Sequence, residues 1–152
     1  MTGKVTLIGA GPGDAELMTV RAQRMLREAD VVVYDRLVSD EIMALCPEGA
    51  TLIPVGKCPK NHPVPQDRIN EILWEQATAG HVVARLKGGD PMIFGRGSEE
   101  AAYLIERGIT VEYAPGITAA QGASCSTGVP LTHRGLATGV QYVTGHRQAD
   151  KT

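Results

Sequence analysis

The sequence has no long hydrophobic run and no strong excess of charge of either sign. Its first apolar stretch, Val5–Ile8, is too short for a signal peptide or a membrane helix. A net charge of -2 gives the protein no general attraction for nucleic acid or for an anionic membrane. We therefore expect a cytoplasmic protein that binds neither nucleic acid nor membrane.

Cysteine is also scarce. The three cysteines, Cys46, Cys58 and Cys125, are widely spaced and odd in number. This argues against a disulfide scaffold and favours a reducing compartment. Cys58 and His62 have the spacing of half a metal site, but Cys46 is too far away to complete an obvious pair. A thiol and a loop histidine without a metal are the better interpretation, and no metal site is predicted.

The common nucleotide-binding motifs are missing as well. No lysine completes the glycine spacing of a phosphate-binding P-loop. The segment Gly9–Asp14 begins like a dinucleotide-binding turn, but Asp14 occupies the place of its last glycine. A carboxylate there repels a pyrophosphate, and Pro12 removes one backbone N–H from the loop. The pattern therefore argues against an NAD site without excluding a related sheet enzyme.

Short apolar runs alternate with helical patterns along a chain of 152 residues, which is enough for one domain with a core. Apolar stripes at helical spacing indicate helices around Ala22–Ala29, Ile69–Ala77 and Ala101–Ile105, with Thr19, Ser39 and Ser98 as candidate N-caps. This alternation predicts an α/β fold, a mostly parallel five-stranded sheet flanked by helices. The predicted strands are Val5–Ile8, Val31–Tyr34, Thr51–Val55, Val82–Leu86 and Ile109–Tyr113.

Glycines and charged residues follow the predicted strands. The most pronounced case is Arg85–Gly97, where a strand runs into a loop with four glycines. Glycines let a backbone approach a ligand closely, and such loops at the carboxyl ends of parallel strands commonly bind ligands. We expect Asp35, Lys57 and Asp90 to meet at that edge. Cations gathered there would suit a polycarboxylate ligand; the candidates are Arg36, Lys57, Arg85, Lys87, Arg96 and Arg134.

Six segments in this order resemble the tetrapyrrole (corrin/porphyrin) methylases, and the likeness covers essentially the whole chain. Two of them, Tyr34–Val38 and Arg85–Gly97, are most similar to family members that methylate uroporphyrinogen III. The six segments are Val5–Asp14, Tyr34–Val38, Val55–Lys57, Arg85–Gly97, Pro115–Ala119 and Pro130–Arg134.

The resemblance implies a methyltransferase that uses S-adenosyl-L-methionine (SAM), releases S-adenosyl-L-homocysteine, and needs no metal. Its acceptor would be uroporphyrinogen III, converted through precorrin-1 to precorrin-2 for siroheme and cobalamin synthesis. By motif position, Asp35 and Lys57 match residues given catalytic proton-transfer roles. The implied cofactor-binding residues are Pro12, Gly88, Gly89, Asp90, Ile93, Thr118 and Ala119.

The resemblance also implies a homodimer whose subunits have two α/β domains, roughly twice the length of this chain. On that plan, residues 1–130 form the N-terminal domain. Residues 131–152 form a linker and the first strand of a second domain, expected at Val140–Val143. The chain is then an N-terminal portion that is expected to be inactive alone. Alternatives are a ligand-binding fragment without catalysis, or a methylase of another tetrapyrrole intermediate.

Overall fold

The structure, a computed structural model, describes residues 1–56 and 63–145 of the chain. It divides into two compact units, Met1–Ala119 and a second unit that starts at Ala120. Strands and helices alternate through the first unit, as the sequence pattern predicts. The strands are β1 (Lys4–Gly9), β2 (Val31–Tyr34), β3 (Thr51–Pro54), β4 (Val82–Lys87) and β5 (Thr110–Ala114). The helices are α1 (Val20–Arg27), α2 (Asp40–Met43), α3 (Gln66–Thr78), α4 (Gly97–Glu106) and α5 (Ala119–Thr127).

The five strands form one sheet in the order β3-β2-β4-β1-β5. All four strand pairs are parallel, with Val5 opposite Val83 in the central pair and Val33 opposite Arg85 in the next. The predicted α/β fold is therefore confirmed. Because every strand points the same way, the five carboxyl ends lie along a single edge of the sheet.

Helices cover both faces of this sheet. On one face, α3 and α4 pack on alternate strand residues such as Leu7 and Val33. On the other face, α1 and α2 pack on the intervening residues such as Ile8 and Val32. The run Val31–Val33 is buried throughout, which explains why it lacks the polar alternation of a half-exposed strand. Each fully buried leucine or valine contributes about 1.5–3 kcal/mol relative to an exposed one.

The helix caps test the local predictions. The hydroxyl of Thr19 accepts a hydrogen bond from the N–H of Ala22, and Ser39 does the same for Ile42, so both predicted N-caps are confirmed. Ser98 is not a cap, because α4 already begins at Gly97 after Arg96. Ile105 was placed in the core stripe of α4 but is 56% exposed.

The second unit contains most of α5 and a turn in which His133 pairs with Ala137. The Ser124 hydroxyl donates to the Val129 carbonyl at 2.7 Å, just beyond the helix. Within the described residues, Val140–Val143 forms no strand. A strand needs a neighbour to take its hydrogen bonds, so the assignment of residues 131–152 to a linker and a further domain stays a prediction.

Candidate functional site at the carboxyl edge of the sheet

The loops that follow β4 and β1 are bound to each other through their glycines. Gly11 and Gly89 form an antiparallel bridge, with N–H to carbonyl distances of 3.1 and 2.8 Å, and the Ala10 N–H donates to the Lys87 carbonyl at 2.7 Å. Gly89 has a φ of +63°, which favours glycine. The central strands therefore continue past the sheet as one joined pair of loops.

A third loop, the one after β5, packs against this pair. A Cβ added to Gly9 would lie 2.6 Å from the Gly116 nitrogen, and a Cβ added to Gly116 would overlap the Gly89 carbonyl oxygen. These glycines were predicted to let the backbone approach a ligand. The structure shows that Gly9 and Gly116 first serve the approach of one backbone to another, because the three loops leave no room for a side chain between them.

Asp90 ties two of these loops together. One oxygen of its carboxylate accepts the N–H of Met92 at 2.8 Å, and the other accepts the N–H of Gly116 at 2.9 Å. The first bond holds the turn after Asp90, and the second joins it to the loop after β5. The carboxylate thus positions the loops, while the main chain around it remains a candidate for ligand contact.

Asp35 lies at the end of β2 and is half-buried. One of its carboxylate oxygens accepts the N–H of Leu37 at 3.1 Å, which fixes the turn that leaves the strand. The loop after β3 packs directly on this turn, because a Cβ on Gly56 would overlap the backbone of Arg36. Lys57, the other predicted catalytic residue, follows Gly56 in the sequence but lies outside the described residues, as do Cys58 and His62.

A buried charge cluster lies at the end of β4, on the face covered by α4. Arg85, Lys87 and Glu100 are each under 5% exposed. The Glu100 carboxylate accepts Arg85 Nε at 2.8 Å and Lys87 Nζ at 2.5 Å. Burial lowers the pKa of Lys87, and the charge of Arg85 lowers it further; Glu100 and, less strongly, Asp35 oppose this.

This cluster corrects the prediction that Arg85 and Lys87 face a ligand, because both are enclosed and paired with Glu100. The sequence did carry a signal for it. Two cations at alternate positions of a buried strand need a buried anion, but the sequence does not identify Glu100 as that anion, because Asp90 is nearer in the chain.

The rest of the glycine-rich loop is strained and outward-facing. Phe94 and Arg96 have φ values of 54° and 55°, unusual for residues other than glycine. Met92, Ile93 and Phe94 are exposed, and Arg96 pairs at the surface with Glu99 at 2.7 Å. The loop thus presents apolar side chains and one ion pair outward at the edge of the sheet.

The remaining implied cofactor residues belong to the same group of loops. Gly88 packs beside Leu37, since a Cβ there would lie 2.9 Å from the Leu37 Cβ. Thr118 is buried in the loop after β5, whereas Pro12, in the loop after β1, and Ala119, the first residue of α5, are exposed. The hydroxyl of Ser39 donates to the Gly13 carbonyl at 2.6 Å and joins the loops after β1 and β2. The loops after β1, β2, β4 and β5 are thus joined at the carboxyl edge, whereas the meeting of Asp35, Lys57 and Asp90 there stays a prediction.

No three side chains among histidine, cysteine, aspartate and glutamate lie together in a way that would hold a metal ion, as far as residues 1–56 and 63–145 extend. None of the helices in those ranges combines the length and the apolar character that a membrane crossing requires.

Comparison with known proteins gives consistent matches along the chain. The sequence model of the Tetrapyrrole (Corrin/Porphyrin) Methylases matches residues 4–151. Uroporphyrinogen-III C-methyltransferase of Paracoccus denitrificans is 62% identical over 97% of this chain and 52% of its own length. Siroheme synthase 2 of Pectobacterium atrosepticum is 56% identical, and the match covers 97% of this chain and 32% of that protein.

A solved structure agrees with these matches. Uroporphyrin-III C-methyltransferase from Thermus thermophilus, complexed with S-adenosylhomocysteine, superposes with a TM-score of 0.76 at 49% identity. The match covers 90% of this chain and 57% of that one. The chain therefore spans about half the length of the first relative and about a third of the second.

Proposed function

The chain belongs to the tetrapyrrole (corrin/porphyrin) methylases, and from this membership we propose that the whole protein is a SAM-dependent uroporphyrinogen-III C-methyltransferase. It would convert uroporphyrinogen III through precorrin-1 to precorrin-2, the precursor of siroheme and cobalamin. The observation that carries the proposal is the likeness to the Paracoccus denitrificans enzyme of that name, which extends over nearly the whole chain.

The loops at the carboxyl edge suit the proposed cofactor. Backbone groups of Gly88, Gly89 and Asp90 are held in place by the Gly11–Gly89 bridge and by the Asp90 carboxylate. A Cβ on Gly89 would make ordinary van der Waals contact with the Ile117 carbonyl oxygen and the Thr118 Cα at 4.0 Å, so it is the positive φ of this residue, and not a lack of space, that favours glycine here. We propose that these groups, with Pro12, Ile93, Thr118 and Ala119, hold SAM.

When bound, SAM would supply the methyl group from its sulfonium to an electron-rich pyrrole carbon. The residues of this chain would act mainly by aligning donor and acceptor, an effect that is worth up to about 7–11 kcal/mol in well-oriented reactions. Main-chain oxygens near the methyl would hold it by weak C–H···O contacts.

A proton must leave the pyrrole carbon after transfer, and we propose that the Asp35 carboxylate accepts it or orients the macrocycle. Its position supports this, because only one of its oxygens takes a hydrogen bond from the described residues. For Lys57 we propose a role in binding an acceptor carboxylate, with protonation of the conjugated product as the alternative. Both assignments rest on motif position within the family.

We also propose the wider organisation of the family for the whole protein. A second domain would cover the other side of the cofactor, and two copies would form a homodimer in the cytoplasm. Exposed apolar side chains in the second unit support a further covering element. They are Val129, Leu131, Leu136, Val140, Tyr142 and Val143.

Calorimetry and turnover test the proposal together. The whole protein is titrated with S-adenosylhomocysteine and, separately, with NAD, and is then given isotopically labelled SAM and uroporphyrinogen III. We expect tight binding of S-adenosylhomocysteine and no binding of NAD. The mass of the acceptor should increase by one methyl group and then by a second. NAD binding without a response to S-adenosylhomocysteine would contradict the enzyme class. Methylation of a different tetrapyrrole alone would contradict only the acceptor.

A further inference from the structure

The buried cluster of Arg85, Lys87 and Glu100 has no part in the proposed chemistry. Glu100 is fully buried, and its carboxylate binds both cations with distances of 2.8 and 2.5 Å. Arg85 also reaches toward the Val33 carbonyl at 3.5 Å. Two basic side chains and one acidic side chain therefore lie within the protein between β4 and α4.

Such a cluster is a poor device for stability. Removing charges from water costs several kcal/mol per ion, and buried ion pairs are often replaceable by apolar side chains without loss of stability. Two basic side chains also share one carboxylate, so the cluster has one more basic group than it has acidic partners. Its presence calls for a reason other than the free energy of folding.

The location of the cluster supplies that reason. Lys87 is the last residue of β4, and the loop Gly88–Arg96 begins directly after it. Glu100 lies in the first turns of α4, which begins where the loop ends. One carboxylate thus joins the chain just before the loop to the helix just after it. The loop contains two residues other than glycine with positive φ, Phe94 and Arg96, and their conformations need support from the surroundings.

We propose that Glu100 is a positioning residue for the glycine-rich loop, and that it acts through Lys87 and Arg85. By fixing the end of β4 against the start of α4, it would hold the backbone of Gly88, Gly89 and Asp90 in the position that cofactor binding requires. This inference rests on the proposed use of that loop for SAM.

The first test compares two isosteric substitutions on α4 in the whole protein. Glu100→Gln keeps the shape but turns an amide N–H toward one of the two cations. Glu106→Gln removes a carboxylate that is 77% exposed on the same helix. We expect Glu100→Gln to weaken S-adenosylhomocysteine binding by about tenfold or more, because small displacements of a positioning group have effects of that order. Glu106→Gln should bind like the parent.

Melting curves and circular dichroism accompany the calorimetry, which is run well below the melting temperature. A purely structural role would lower the melting temperature of Glu100→Gln but leave the affinity of the folded protein unchanged. Parental affinity in a folded Glu100→Gln protein would overturn the proposal. A parent that fails to bind S-adenosylhomocysteine would instead contradict the proposed function.

A second variant separates position from stability. The triple substitution Arg85→Met, Lys87→Met and Glu100→Leu replaces all three charges by apolar side chains of similar size. We expect it to fold and melt at or above the parental temperature, yet to bind S-adenosylhomocysteine at least about tenfold more weakly. Parental binding by this variant would overturn the proposal. Failure of both this variant and Glu100→Gln to fold would assign the cluster to stability and overturn it as well.

Discussion

Asp90 offers the sharpest test of how the site is built, because its carboxylate accepts two backbone N–H groups. In Asp90→Asn the amide oxygen accepts only one of them, and the amide nitrogen faces the other donor. Either Met92 or Gly116 then loses a partner that lay within 2.9 Å. A hydrogen bond to a charged group contributes about 1.5–3 kcal/mol, so we expect unfolding to become easier by about 2 kcal/mol.

Urea unfolding, followed by circular dichroism, measures this loss. For a protein of this size, a change of about 2 kcal/mol corresponds to a midpoint lowered by about 1 M urea. Asp67→Asn is the matched control, because Asp67 is an exposed aspartate in the first turn of α3. We expect the control to change stability by a few tenths of a kcal/mol. A midpoint for Asp90→Asn equal to that of the control would refute the assignment of the carboxylate as a tie between the loops.

Three further predictions concern the same edge of the sheet. Asp35→Asn should lower kcat of the whole protein much more than SAM affinity, whereas equal losses in single-turnover and binding measurements would reassign Asp35 to cofactor binding. Gly116→Ala should destabilise the protein by several kcal/mol in urea unfolding, because the added methyl overlaps the Gly89 carbonyl oxygen; the control Gly139→Ala, with no atom within 4 Å of its Cβ, should be nearly neutral. Lys57→Met should weaken acceptor binding and reduce its salt dependence in titrations at several ionic strengths, and an unchanged affinity would remove Lys57 from the acceptor site.

The sheet was predictable because a strand that is buried on both faces consists of a continuous run of apolar residues. The run Val31–Val33 has no polar residue to exclude it from a core, and β2 spans the predicted residues Val31–Tyr34. Parallel pairing follows from the alternation of strands and helices, and it places all the carboxyl ends together. The position of the strand ends along one edge of the sheet was therefore predictable from the sequence alone.

Predictions of side-chain burial and of helix starts were wrong where the apolar pattern was short or where neighbouring loops determined the local structure. Ile105 has helical spacing from Ala101 but points into solvent, because α4 presents only a narrow stripe to the sheet. Ser98 is a good N-cap by residue type, yet the N-cap is Arg96, in the left-handed conformation, and the helix starts two residues earlier than it would after a cap at Ser98. Local residue preferences cannot reveal a helix start that the preceding loop imposes.

The partners of the charged residues were the least predictable part. The sequence showed Asp90 on a stiff turn but gave no indication that Gly116, in a distant loop, donates to it. The sequence also showed two cations on β4 but did not show that Glu100 pairs with both of them. Such pairings depend on how the loops and helices pack, and the sequence of one chain contains that information only indirectly.

The position of the cofactor tests the central claim most directly. A crystal structure of the whole protein with S-adenosylhomocysteine should show the ligand against the backbone of Gly88–Asp90, with Thr118 and Ala119 beside it. A ligand bound at the opposite edge of the sheet, or away from the loops after β1, β4 and β5, would contradict the account.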